Sequence, residues 1–229
     1  MDITAILLDA GGVLVFPQPE AMLASLRAAG ATPDPQTLER AHYRAMSLLD
    51  VPGSPAPDRE TWWASYLGDY IADCGVAAER VREVAAELAG IPSLGWTHVG
   101  PGVRGGLRDL AALGIPLGIV SNSDGTIEAE LRRHGVCQTG DGDGVPVGVV
   151  VDSAVAGVAK PDPEIFRIAL DALGVTASGT VLHVGDSLRY DVTGAIAAGL
   201  RAVHLDPYGY CPAPSGHDHV TSISGVLSM

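Results

Sequence analysis

Residues 6–14 read ILLDAGGVL, from Ile6 to Leu14. A short apolar run ends in one carboxylate, Asp9, and then in Gly11-Gly12, the pattern of a buried strand that delivers an acid to a flexible loop. In open parallel sheets ligands bind beyond the carboxyl ends of the strands, and glycines let the backbone curl closely around a bound anion. Taken alone, the same residues also describe an ordinary turn. What decides between the two is whether later strands end in chemical partners for Asp9.

Working outward, an irregular or hairpin-like exit at Val15-Phe16-Pro17 leads into a block of different texture. Residues 18–30 read as an amphipathic helix stopped by Gly30. Residues 34–49 form another, with Asp34 as N-cap and Pro35 at its first position. A proline-rich break, VPGSPAP at 51–57, precedes a third helix capped by Asp58 and stopped by Gly75, and 77–89 forms a fourth before Gly90. The sequence predicts no strand between about 17 and 96.

From Gly100 strands and helices alternate. Helices are predicted over 101–114, 124–135, 162–174 and 190–199, and strands over 116–120 (PLGIV), 147–151 (VGVVV), 180–184 (TVLHV) and 201–205 (RAVHL). Alternation of this kind implies βαβ units and a parallel sheet. With AILL at 5–8 the expected fold is α/β, a Rossmann-like parallel sheet of about five strands. Residues 1–16 and 97–229 make up the core domain, and 17–96 a four-helix insertion after the first strand.

Composition limits what such a fold does. The 229 residues, 47% of them hydrophobic, suffice to bury a full core. No apolar stretch approaches the roughly 18 residues of a membrane span, and residues 1–16 lack the features of a signal peptide. Three scattered cysteines, Cys74, Cys137 and Cys211, argue against a disulfide framework and fit a reducing cytoplasm. A formal net charge of −13 disfavours nucleic acid and anionic membranes as partners, which need a basic face. Small metabolites remain. Lys160 is the only lysine, the other thirteen basic residues being arginine, so its position is one that calls for a compact ammonium rather than a planar fork.

The predicted strands end in Asp9, Ser121-Asn122, Asp152-Ser153, Gly185-Asp186 and Asp206-Pro207. Any one of these could be a helix cap. Together they are complementary: carboxylates on different strands for a hard cation, a hydroxyl and an amide as oxyanion donors, and one ammonium. Such a set handles phosphate.

These residues carry a resemblance. Asp9-Ala10-Gly11-Gly12-Val13-Leu14, Ser121-Asn122, the segment GVAKPDPEIF holding Lys160, and GDSLRYDVTGAIAAG with Asp186 and Asp191 resemble, in order and spacing over residues 3–206, the four motifs of the haloacid dehalogenase superfamily. The block at 17–96 stands where that superfamily carries its helical cap. The resemblance implies that Asp9 attacks phosphorus to form an aspartyl-phosphate, that Gly12, Ser121, Asn122 and Lys160 hold the phosphoryl group, and that Lys160 neutralises nucleophile and substrate together. It implies that Asp9, the Gly11 carbonyl, Asp186 and Asp191 hold Mg²⁺ or its waters. The linkers near 15–17 and 92–100 are then expected to act as hinges of the cap.

One departure matters. Many phosphatases of this superfamily carry a second Asp two residues after the nucleophile, where it protonates the leaving oxygen. Here that position is Gly11, and general acid–base help contributes about 10²–10⁴ in rate. The expected activity is Mg²⁺-dependent hydrolysis of a small phosphorylated metabolite. The alternatives are a weakly active or non-catalytic phosphometabolite-binding protein and, further off, a haloacid dehalogenase or a phosphonatase. The Asp186/Asp191 pair disfavours an anionic haloacid, and a cap without lysine disfavours Schiff-base chemistry. The sequence leaves oligomeric state open.

The remaining features get structural readings. Trp62-Trp63 is expected to pack within the helical block, with one of them lining the substrate pocket as the alternative. His42, Tyr43 and Arg44 read as a solvated helix face, with a polar group turned toward the site as the alternative. Cys211-x5-His217-x-His219 has ligand types but lacks a fourth partner, and Asp141-Gly-Asp143-Gly reads as a turn.

Overall fold

Short apolar runs rich in β-branched residues become strands, and stretches of 3.6-residue period become helices. The computed structural model describes residues 3–51, 57–91, 95–213 and 216–229. The chain runs β1 (Ala5–Leu8), β2 (Val15–Pro17), α1 (Pro19–Ala28), α2 (Pro35–Leu49), α3 (Arg59–Asp73), α4 (Ala78–Ala89), β3 (Trp96–Val99) and α5 (Val103–Ala111). It continues with β4 (Leu117–Ser121), α6 (Ile127–Arg133), β5 (Cys137–Gln138), β6 (Val145–Pro146), β7 (Val149–Asp152), α7 (Ser153–Ala156) and α8 (Pro163–Leu173). Next come β8 (Val181–Gly185), a π-helical turn Leu188–Val192, α9 (Thr193–Ala197), β9 (Arg201–Leu205), β10 (Asp218–Val220) and a 3-10 turn Ile223–Ser228. The proline-rich break at 51–57 falls largely outside the described residues.

Two compact units result. One comprises Met1–Phe16, Val99–Pro207 and Pro214–Met229, the other Pro17–His98 and Tyr208–Ala213. The first is α/β, built on a six-stranded sheet in the order β10-β9-β8-β1-β4-β7, every pairing parallel. β1 lies fully buried between β8 and β4, with Leu8 opposite both Ile119 and Val184. From β1 the order of connection proceeds one way through β4 to β7 and the other way through β8, β9 and β10. That is a topological switch point, where open parallel sheets bind ligands beyond the carboxyl ends of their strands. Phe166, Ile165 and Ala169 of α8, Val192, and Ala195 of α9 pack with Leu7, Val120, Val151 and Val181 of the sheet as one core.

The sheet has six strands where the sequence predicts about five. β10 is three residues long with one buried apolar side chain, Val220, in a tail rich in proline and glycine, so it has no periodicity to detect. It is specified instead by its neighbour: Asp218, His219 and Val220 pair with Val203, His204 and Leu205, and Arg201 Nε lies 2.6 Å from Asp218 Oδ2. The pairs β2–β3 and β5–β6 are also short, two to four residues per strand. The Asp141–Gly144 stretch is a turn: Gln138 closes it, with Oε1 accepting from Gly144 N (2.9 Å) and Nε2 donating to Gly144 O (3.2 Å).

In the second unit the N-caps named by the sequence are in place. Asp34 and Asp58 each accept from the backbone N–H three residues on, Thr37 and Thr61, at 2.7 Å. Met22, Leu26, Tyr66, Leu67, Ile71 and Leu88 form its core. Trp62 and Trp63 pack against that core, both stacked with Tyr66 at 5.3 and 5.5 Å between centroids. His42 and Tyr43 are not a solvated face. Both are buried, and His42 Nδ1 lies 3.0 Å from Tyr66 Oη, while Arg44 is exposed over the Tyr210 ring.

Candidate active site

The carboxyl ends of β1, β4 and β8 bring the predicted residues together. Asp9 follows β1, and its N–H still pairs with Val184 O of β8 at 2.9 Å. Ser121 ends β4, in register with Asp152 of β7. Asp186 follows β8, and Asp191 lies on the π-helical turn beyond it. All are nearly inaccessible, as is Lys160.

Lys160 organises the charges. Its Nζ lies 2.8 Å from Asp9 Oδ1 and 2.6 Å from Asp191 Oδ1. Asp191 also contacts His183 Nε2 at 2.8 Å through Oδ1 and accepts from Ser187 N at 3.1 Å through Oδ2. Asp9 Oδ1 accepts in addition from Ala10 N at 2.7 Å. One oxygen from each of Asp9, Asp186 and Asp191 lies within 4.8 Å of the others.

Two glycines make this possible. Gly12, with φ of 69°, turns the loop after Asp9 through the left-handed region, whereas Gly11 has no positive φ. At Gly185 a Cβ would stand 2.0 Å from Asp191 Cγ, so only glycine lets this carboxylate fold back beneath the strand end.

Asn122 does not offer its whole amide to a ligand. Its Nδ2 donates to Lys160 O (3.0 Å) and its Oδ1 accepts from Lys160 N (2.8 Å), a reciprocal clamp on the lysine main chain. Asp152, one of the strand-end acids, is likewise structural: it accepts from Gly125 N and Ala154 N, both at 2.9 Å, and ties down the loop after β4. Asn122→Ala should lower stability by about 1–3 kcal/mol, the cost of leaving buried backbone groups unpaired, and lower kcat by letting Lys160 shift. Unfolding curves and steady-state rates identical to wild type would show the clamp to be idle.

Three buried carboxylates share one ammonium, and their protonation shows the imbalance. Burial, with Asp191 and Asp186 nearby, outweighs Lys160 and pushes Asp9 up to about 6. Burial and Asp191 push Asp186 up to about 8. Asp191 is also buried, but Lys160 and His183 hold it well below the usual carboxylate range. Asp191 and Asp9 keep Lys160 charged against the effect of burial. A hard divalent cation fits this donor set of buried carboxylate oxygens, because it supplies the missing positive charge.

The sign of the pH dependence follows. Between about pH 4, where an unfolded Asp ionises, and the raised values of Asp9 and Asp186, the metal-free fold holds protons that the unfolded chain has released. Stability from these two therefore falls as pH rises. Asp191 acts oppositely, its contribution being lost as pH falls below the unfolded value. A divalent cation held by these groups would need their ionised forms, so any rise in Tm that such a cation induces should grow steadily from about pH 5 to about pH 8. A rise of constant size across that range would contradict the assigned charges.

The chain matches the model of a hydrolase family, described as haloacid dehalogenase-like hydrolase, over residues 3–199. It belongs to that family. Haloacid dehalogenase-like hydrolase domain-containing protein 3 of Danio rerio is 31% identical over 180 residues, covering 75% of this chain and 69% of the relative. Phosphoglycolate phosphatase of Rhodospirillum rubrum is 37% identical over 144 residues, 62% of this chain and 55% of the relative. Among solved structures, a HAD phosphatase from Thermococcus onnurineus superposes with a TM-score of 0.60 at 22% identity, over 98% of this chain and 96% of that one, a likeness of fold. As a haloacid dehalogenase-like hydrolase the chain is an enzyme. Among its described residues no helix is long and apolar enough to cross a membrane.

Three further residues of this site escape the sequence. His183 is masked by its position inside an apolar strand, yet its ring, edge-on to Phe166 at 4.8 Å, faces Asp191. Ser187 accepts from Tyr190 N at 3.0 Å and caps the π-helical turn that carries Asp191. Gly185 reads as punctuation before Asp186. A histidine two residues before a Gly-Asp pair was the available signal, since strand alternation puts it on the same face as Gly185.

Proposed function

We propose that this hydrolase cleaves a small phosphorylated metabolite through an aspartyl-phosphate at Asp9, with Mg²⁺ as cofactor. The observation that carries the proposal is Lys160, one ammonium within 2.8 Å of Asp9 and 2.6 Å of Asp191 at the switch point of a parallel sheet. Phosphatase names among the relatives, such as that of Rhodospirillum rubrum, support it.

Asp9 attacks phosphorus in line, forming the acyl phosphate as the P–O bond to the alcohol breaks. Water then attacks phosphorus, releasing inorganic phosphate and restoring Asp9. Asp9 Oδ1 is oriented by Ala10 N and Lys160 Nζ, which leaves Oδ2 as the attacking oxygen. Lys160 offsets repulsion between carboxylate and phosphoryl group, the Ser121 hydroxyl donates to a phosphoryl oxygen, and Asn122 keeps Lys160 in place, while the Gly12 N–H is spent on Val15 O at 2.9 Å and shapes the turn. Asp191, with His183 and Ser187 behind it, holds Lys160 charged. Asp9, the Gly11 carbonyl and Asp186, with Asp191 beside them, would hold Mg²⁺, which screens substrate charge and stabilises charge developing on the phosphoryl oxygens. The helical unit is proposed to be the cap and its connections the hinges; residues 92–94 of the second connection lie outside the described residues.

A dehalogenase reading fares worse, because three buried acids around one ammonium repel a haloacid carboxylate. A purely binding role fares worse too, since binding needs no nucleophile pinned against its own counter-ion. Phosphorylated metabolites assayed with and without Mg²⁺ beside 2-haloacids test the proposal. Mg²⁺-dependent phosphate release is expected, and halide release indifferent to EDTA would overturn it.

Gly11 leaves the leaving group without the usual acid. Aryl phosphates should therefore be cleaved much faster than alkyl phosphates, and Gly11→Asp should raise the alkyl rate more, by up to about 10²–10⁴. Because Gly11 has no positive φ, a side chain there is not barred by backbone strain. Equal aryl and alkyl rates in wild type, both slowed in the variant, would mean that another group supplies the proton. His42 is not that group as it stands, being buried and turned to Tyr66.

A further inference from the structure

Outside the acidic site the described residues of the α/β unit bring three histidines together. His204 and His219 are register partners on the parallel strands β9 and β10, so their side chains leave the sheet on the same face. His217 precedes His219 by two residues and shares that face. The ring centroids of His204 lie 5.6 Å from His217 and 5.5 Å from His219, and those of His217 and His219 are 4.5 Å apart.

His204 supplies an independent observation. It is only 5% exposed, and its Nε2 lies 3.1 Å from the backbone carbonyl of Asp186. A carbonyl can only accept, so Nε2 carries the proton and Nδ1 presents a bare lone pair. That Nδ1 is buried and has no hydrogen-bond partner. A metal-binding imidazole characteristically donates its other N–H to a backbone carbonyl, which fixes the tautomer and frees the ligating nitrogen. Without an ion this lone pair is a desolvated acceptor with nothing to accept.

We propose that His204, His217 and His219 form a second metal site, for a transition-metal ion of the Zn²⁺ class. One ligand nitrogen from each lies within 4.8 Å of the others. Zn–N bonds of about 2.0–2.1 Å require nitrogens roughly 3.4 Å apart, and the exposed His219 can close the difference. Imidazole donors select Zn²⁺, Ni²⁺ or Cu²⁺ over Mg²⁺, which takes oxygen, so the two sites do not compete for one ion. Three histidines leave a fourth coordination position unassigned. Cys211, which the sequence groups with two of these histidines, falls in the segment Tyr208–Ala213 of the other unit and is not part of the site proposed. The bound ion would fasten β10 to β9, completing the edge of the sheet.

Co²⁺ titration of the full chain in saturating Mg²⁺ tests this, with the visible d–d absorbance as readout. Wild type should bind one equivalent, and His217→Ala/His219→Ala should bind at least about 100-fold more weakly, beyond what loss of a supporting residue costs. Both replaced side chains lie at the surface edge, so circular dichroism should be unchanged. In parallel, ¹⁵N spectra of the imidazoles on adding Zn²⁺ should show the unprotonated Nδ1 of His204 shifting while Nε2 stays protonated. Equal Co²⁺ binding by wild type and the double variant, or a Zn²⁺ response confined to His217 and His219, would overturn the site.

Discussion

Asp9→Asn will stop turnover while leaving the fold in place. The amide keeps the volume of the carboxylate but is a poor nucleophile, and only a carboxylate forms an acyl phosphate, so kcat should fall by about 10⁴-fold or more, as for other nucleophile deletions. The fold should survive because Lys160 keeps its 2.6 Å contact with Asp191. Loss of a buried acid whose pKa burial pushes up to about 6 also relieves repulsion near neutral pH, so metal-free Asp9→Asn should melt no lower than wild type. Steady-state rates and thermal unfolding read both effects. A folded Asp9→Asn variant with wild-type kcat would end the covalent mechanism.

Lys160 carries the second large effect, on stability as well as rate. Lys160→Met leaves Asp9 and Asp191 buried against each other without their counter-ion, and breaking a buried pair on one side costs about 3–5 kcal/mol. Lys160→Arg keeps the charge but not the geometry. A single nitrogen reaches Asp9 Oδ1 and Asp191 Oδ1 from between them, whereas a planar guanidinium is longer and spreads its donors across a fork. Both variants should lose at least about 10³-fold in kcat, with Lys160→Arg melting above Lys160→Met. Denaturant unfolding and kinetics separate the two, and an active Lys160→Arg would show that charge alone suffices.

How much of this was legible from the chain follows from how each part is encoded. Strands β1, β4, β7, β8 and β9 announce themselves because burial in the sheet favours largely apolar runs, and the polar groups that end β1, β4 and β8 belong to the site. Asp9, Ser121 and Asp186 were therefore readable from position, whereas Asp191, on the turn beyond β8, was named only through the resemblance. Lys160 was readable from composition, as the only lysine among fourteen basic residues. What stayed hidden depends on pairs of distant residues. That Asn122 clamps the Lys160 backbone is a contact across 38 positions. His183 sits at a sheet position that any apolar residue could occupy, and β10 is specified by its neighbour β9 rather than by its own three residues. Cys211-x5-His217-x-His219 lacked a further ligand on paper because His204 joins only through that pairing. His42 and Tyr43 misled because amphipathic patterning does not say when aromatic and imidazole groups bond to each other inside a core.

The central claim is that phosphoryl is carried on Asp9. Acid-quenching the enzyme during turnover of an aryl phosphate, reducing with borohydride and sequencing the peptide that spans residues 5–14 tests it most directly, because borohydride converts an acyl phosphate at an aspartate into homoserine. The account predicts homoserine at position 9 in the presence of substrate and Mg²⁺, and aspartate there when either is omitted. Aspartate at position 9 in enzyme quenched during active phosphate release would contradict it.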